Sequence, residues 1–90
     1  MILETPYEMA AGAAKRFRKV RTSKKVTMKE LSQRSGVPYS TIRRFESTGE
    51  ISFLSLIKIA SALGADREIT GLFADTVPQT IEEVIRGNRR

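Results

Sequence analysis

The chain has 90 residues, 40% of them apolar, with 16 Lys and Arg against 10 Asp and Glu and a net charge of +6. That length holds one small domain around one core, and that apolar content is too high for a chain that never folds. Cys and His are both absent, which excludes disulfides, thiolate nucleophiles, His general bases and most zinc chemistry.

The opening "MILETPYEMA" has no basic stretch ahead of its short apolar start, so no signal peptide is expected. No run approaches the ~18 apolar residues of a membrane span. A cytoplasmic protein with no membrane partner is the expectation. Thr5-Pro6-Tyr7-Glu8 then supplies an N-cap threonine, proline at the first helical position and glutamate at the third, which is a capping box. The helix it opens places Ala10, Ala14, Phe17, Val20 and Arg21 on one face. Lys15, Arg16, Arg18 and Lys19 occupy the others.

Thr27-Met28-Lys29-Glu30 is a second capping box, with Val26 and Leu31 spaced as a hydrophobic staple. This helix is expected to end near Ser35, where Gly36 can take a positive φ. Pro38 presets φ for a third helix running to about Ser47, with Ile42 and Phe45 inward and Gly49 closing it. Ser52 is the expected N-cap of a fourth helix, with Leu56, Ile59, Ala60 and Leu63 as its buried stripe, Phe53 at its start and Gly64 as its C-cap. Asp66 is expected to cap a fifth helix carrying Ile69, Leu72 and Phe73. After Pro78, Thr80-Ile81-Glu82-Glu83 forms a third capping box ahead of Val84 and Ile85, and the tail "RGNRR" is expected to be disordered.

Charge is segregated along this chain. Residues 9–45 hold eleven Lys and Arg and one acid, while residues 46–85 hold two Lys and Arg and seven acids. A basic face beside an acidic one orients a small protein on a polyanion.

Between Thr27 and Ser47 the pattern is helix, tight glycine-containing turn and second helix, a helix-turn-helix. It resembles that of the phage-repressor-like, Xre-type helix-turn-helix regulators, through Leu31, Ser32, Gly36, Val37, Ile42 and Glu46 and through "LSLIKIASALGA" downstream. The resemblance covers about Ala14 to Phe73. It implies an all-α fold: a compact five-helix lambda-repressor-like DNA-binding domain over residues 1–75, its helix-turn-helix over 27–47, and a short C-terminal extension over 76–90. It also implies that Arg21, late in the first helix, pairs with Glu46 at the end of the recognition helix. The chain departs from the family at Met28, where Gln often touches phosphate, at Lys25, where Gly is frequent, and at Pro38, where Ser or Thr often caps.

By family position, Tyr39, Ser40 and Arg44 are the expected base contacts, since Arg can bind a guanine edge through two hydrogen bonds. Lys24, Lys25, Thr27, Lys29, Thr41, Arg43 and the backbone amide of Phe53 are the expected phosphate contacts. Arg34 is divided between that role and simple solvation. One such domain reads few base pairs, so the implied partner is double-stranded DNA with a palindromic operator, bound by a homodimer. "MIL" and Leu72, Phe73, Val77, Ile81, Val84 and Ile85 are candidates for the dimer surface; the alternative is that the C-terminal set closes the monomer core.

The implied function is a sequence-specific transcriptional repressor acting at the nucleoid. The ending "LFADTVPQTIEEVIRGNRR" resembles the tails of HipB-like antitoxins, which pair with HipA-type kinases and repress their own operon. The alternatives are a stand-alone phage-type repressor and a protein-interaction module without DNA binding. No enzyme is expected: Ser and Thr have no His partner, no glycine-rich phosphate loop or metal-spaced carboxylate pair occurs, and neither catalytic residue, metal nor cofactor is implied.

Overall fold

The computed structural model describes residues 4–76, which form five α helices and a closing 3-10 turn. These are α1 (Pro6–Ser23), α2 (Met28–Ser35), α3 (Tyr39–Thr48), α4 (Phe53–Ala62) and α5 (Asp66–Thr70), with the turn at Ala74–Thr76. No strand occurs among the described residues, and the all-α expectation holds. "MIL", the third capping box and Val77, Ile81, Val84 and Ile85 lie outside the described residues.

Both described capping boxes form. The Glu8 amide donates to Thr5 Oγ1 at 3.1 Å and the Thr5 amide to Glu8 Oε1 at 2.9 Å. At α2 the Glu30 amide donates to Thr27 Oγ1 at 3.1 Å and the Thr27 amide to Glu30 Oε1 at 3.2 Å. Each box satisfies two of the amides that a helix start leaves without acceptors. The threonine amide first, and its side chain second, hold the Glu8 and Glu30 carboxyls below their ordinary pKa.

The break between α2 and α3 is locked by side-chain oxygens. Gly36 takes φ 75° and its amide reaches back to the Ser32 carbonyl. The Ser32 hydroxyl donates to the Val37 carbonyl at 2.6 Å, and the Val37 amide donates to Ser35 Oγ at 3.1 Å. Val37 itself is buried. Pro38 is the N-cap of α3 rather than its first helical residue, and it supplies no side-chain cap.

Leu31 of α2, Ile42 of α3 and Ile59 of α4 are completely enclosed, each burial worth about 1.5–3 kcal/mol. Ala14, Val26, Val37, Phe45 and Leu63 complete the core, so both staple residues are in it. α1 packs on α3, α2 on α3 and α4, and α5 on α4. The rings of Phe17 and Phe45 meet edge to face at 5.4 Å between centroids.

Several expected details are corrected. Val20 is 36% exposed rather than inward. Leu63 is the C-cap of α4, and Gly64 follows it with φ 73°. Ala65, not Asp66, is the N-cap of α5, and no side chain caps it. α5 stops at Thr70, so Leu72 and Phe73 fall beyond it and are exposed. A five-residue helix has too few internal hydrogen bonds to carry an apolar face that far.

Gly49 ends α3 with φ 85°, and a Cβ there would lie 2.6 Å from the Ala10 carbonyl carbon and 2.8 Å from its oxygen. Gly36 has nearly the same backbone, but a Cβ would meet nothing within 4 Å. Gly36→Ala is therefore expected to cost only the left-handed conformation, about 1–2 kcal/mol. Gly49→Ala should cost clearly more, because α1 must also move. Urea denaturation of the two variants compares them; equal losses would mean that α1 does not press on the end of α3.

Candidate nucleic-acid interface

α3 has two buried apolar side chains, Ile42 and Phe45. At about 100° per residue these face the body. Tyr39, Ser40, Arg43, Arg44, Ser47 and Thr48 fall on the opposite arc, and all six are exposed. Thr41 lies at the margin and is half-buried.

One buried node holds this helix to the body. Arg21 Nε donates to Glu46 Oε2 at 2.6 Å and Nη2 to Glu46 Oε1 at 2.8 Å, while Nη1 donates to the Val26 carbonyl at 2.9 Å. The two side chains are 9% and 7% exposed. A planar guanidinium facing a carboxylate through two bonds fixes angle as well as distance. The hydrogen bond to Glu46 is the main cause that raises the Arg21 pKa, opposed by burial, with smaller contributions from the charge of Glu46 and from Tyr39. Tyr39 is 39% exposed, at the rim of the outer arc.

The α1–α2 turn and the start of α2 carry Lys25, Thr27 and Lys29, all exposed. Lys25 has φ 57°, a left-handed conformation that costs a residue with a Cβ about 1–2 kcal/mol, which gives a physical reason for glycine at this place. Lys24 is engaged elsewhere: its ammonium donates to the Leu63 carbonyl at the end of α4, where a cation complements the helix dipole. Arg34 is 3.7 Å from Glu30, one turn away on α2, with both side chains solvated. Phe53 is the first residue of α4 after the Ser52 cap, so its amide is among those without an intrahelical acceptor.

The sequence reasoning overlooked Glu50. Its Oε2 lies 2.7 Å from Arg44 Nη2, with both side chains more than half exposed. Arg43, the adjacent cation, has no carboxylate within ion-pair distance among the described residues. A shallow recess of about 440 Å³ beside the pair is lined by Thr41, Arg44, Glu50, Ile51, Ser52 and Ser55. The signal available in sequence was a glycine that reverses the chain after a helix, followed by an acid six residues beyond an arginine. No helix among the described residues is long and apolar enough to cross a membrane.

Compared with known proteins, the chain is similar to a helix-turn-helix family whose model matches residues 17–69, more than half its length, from the second half of α1 to α5. No curated protein and no solved structure matches it.

Removing one partner of a buried ion pair leaves the other charge stranded. Glu46→Ala is expected to destabilise by about 3–5 kcal/mol. The double replacement Arg21→Met with Glu46→Leu should recover much of that loss. Thermal unfolding of both single variants and the double variant measures the coupling; strictly additive effects would contradict the observed node.

Proposed function

The chain belongs to this helix-turn-helix family of DNA-binding transcription regulators, and from that premise we propose that it is a transcriptional repressor that binds double-stranded DNA sequence-specifically. In this reading α3 enters the major groove, α2 braces it, and two copies bind a palindrome with their reading helices ~34 Å apart. The observation that carries it is α3 itself. Its outer arc is polar and basic, and its inner edge is tied to the body by a bidentate buried pair. A solvated surface helix needs no such fixed angle; a reading helix does.

Tyr39, Ser40 and Arg44 read bases, and Arg43, Thr41, Lys25, Thr27, Lys29 and the Phe53 amide hold phosphates. Lys24 has one ammonium donor committed to the Leu63 carbonyl and brings the remaining two to the interface. The basic stretch over residues 9–45 supplies the sequence-independent attraction. A protein-interaction module without DNA binding is the competing reading, and salt separates the two: affinity for DNA must fall steeply as salt rises.

A narrower reading makes the chain the antitoxin and autorepressor of a HipA-type kinase operon. It rests on the resemblance of the ending, most of which lies beyond Thr76. The test is the adjacent reading frame: a kinase-like product that co-purifies with this chain supports it, and a neighbour that is no kinase leaves the stand-alone repressor.

Arg44→Ala is expected to weaken specific binding by about 1–3 kcal/mol and to relax the preference at one base position per half-site. Unchanged base preferences in a binding-site selection would remove Arg44 from the base contacts. Lys29→Ala should instead lower affinity for all DNA alike and reduce the salt slope by about 1 per protomer. A slope that does not change would place Lys29 off the phosphates.

A further inference from the structure

The ion pair between Arg44 and Glu50 has no evident structural purpose. Both partners are solvated, and exposed pairs contribute little to stability. It also sets a negative charge just past the end of the helix that, on the proposed function, approaches a polyanion. A random surface acid there would oppose binding. The geometry points to a use: Glu50 is a specificity-determining residue that aims the Arg44 guanidinium at a base edge and keeps it off the phosphates.

The backbone around Glu50 is built for this placement. Gly49 turns the chain back with φ 85°, in close contact with the Ala10 backbone. The Glu50 amide donates to Thr48 Oγ1 at 3.1 Å, and Thr48 Oγ1 donates to the Arg44 carbonyl at 2.7 Å. Arg44 and Glu50 are thus linked twice, through the Thr48 hydroxyl and through their own side chains. A carboxylate carried on a fixed turn is a better buttress than one on a loose loop, because less backbone freedom is lost when it engages.

The chemistry separates two tasks that arginine performs equally well alone. A guanidinium has five N–H donors. The Glu50 contact occupies a donor on Nη2 and leaves others for a guanine edge, which asks for two. The carboxylate also offsets the positive charge, so Arg44 gains less from any phosphate oxygen while its hydrogen-bonding geometry is retained. Neighbouring Arg43, with no such partner among the described residues, remains a cation suited to phosphate. The two adjacent arginines are divided between reading and anchoring by one acid.

This inference rests on the DNA-reading function, and the experiment keeps the two apart. Binding-site selection and salt-dependent affinity are measured for the full chain, for Glu50→Ala and Glu50→Gln, for Arg44→Ala, for the double variant, and for Glu68→Gln on α5 as a charge control. Both Glu50 variants should bind random DNA more tightly, as Glu68→Gln does by charge alone. Only the Glu50 variants should lose discrimination at the base position that Arg44→Ala also relaxes, by about fivefold or more. In the Arg44→Ala background Glu50→Ala should change base preference no further. If the Glu50 variants raise affinity for every sequence equally and keep the preference, the carboxylate only repels the backbone and the inference is overturned. If the unaltered chain shows no salt-sensitive DNA binding at all, the functional reading fails first and takes the inference with it.

Discussion

The Arg21–Glu46 node is the constraint on which the rest of the molecule depends. α3 buries two apolar side chains, too little apolar surface to fix its own orientation. Ile42 and Phe45 decide that it docks, but apolar contact is not directional. The guanidinium supplies direction: two bonds to Glu46 set the roll of α3, and the third, to the Val26 carbonyl, ties the same group to the turn before α2. One side chain therefore registers α1, the α1–α2 turn and the end of α3. The edge-to-face contact of Phe17 with Phe45 joins the same two helices, α1 and α3. In such a setting the pair's worth lies in orientation more than in net stability, since desolvation offsets most of the attraction.

Much of this was legible in the sequence, because the signals were local. A threonine with a glutamate three residues on, twice, defines two helix starts, and glycines at 36, 49 and 64 mark chain reversals that need a left-handed residue. Arg21 and Glu46 are 25 residues apart, and only the family resemblance brought them together. What failed was also physical. Asp66 looked like a cap because aspartate favours that role, but the Gly64-Ala65 turn starts the helix one residue earlier and leaves Asp66 inside its first turn. Leu72 and Phe73 continue the apolar spacing of Ile69, but the helix ends at Thr70. Glu50 disappeared into the count of an acidic half, because its partner is found through a turn and not through a periodicity.

The electrostatic pattern is finer than the split along the chain suggested. Of the cations in the basic stretch, Arg21 is buried in the node, Lys24 caps α4 through Leu63, Arg34 leans on Glu30 and Arg44 on Glu50. The cations at the front of the helix-turn-helix that have no such engagement among the described residues are Lys25, Lys29 and Arg43. A count of charges treats all seven alike, yet a cation already bound to a carbonyl or carboxylate has less to gain from a phosphate. The pairings sort the stretch into structural, directed and free charges before any ligand arrives.

Lys25 completes that reasoning from the opposite side. A residue with a Cβ at φ 57° is under local strain, and glycine would relieve it at the expense of a more flexible unfolded chain. Strained positions persist where the surrounding structure over-determines them, and here it does. The Lys25 amide donates to the Thr22 carbonyl, and the next amide, of Val26, donates to the Arg21 carbonyl. Val26 must then be buried with its own carbonyl turned to Arg21 Nη1. The turn geometry is therefore dictated by the node, and the side chain at its apex is free to be chosen for charge. A lysine there accepts a conformational cost in exchange for a cation displayed beside the start of α2. The node that orients α3 thus also holds out Lys25, one of the charges proposed to anchor that helix on DNA.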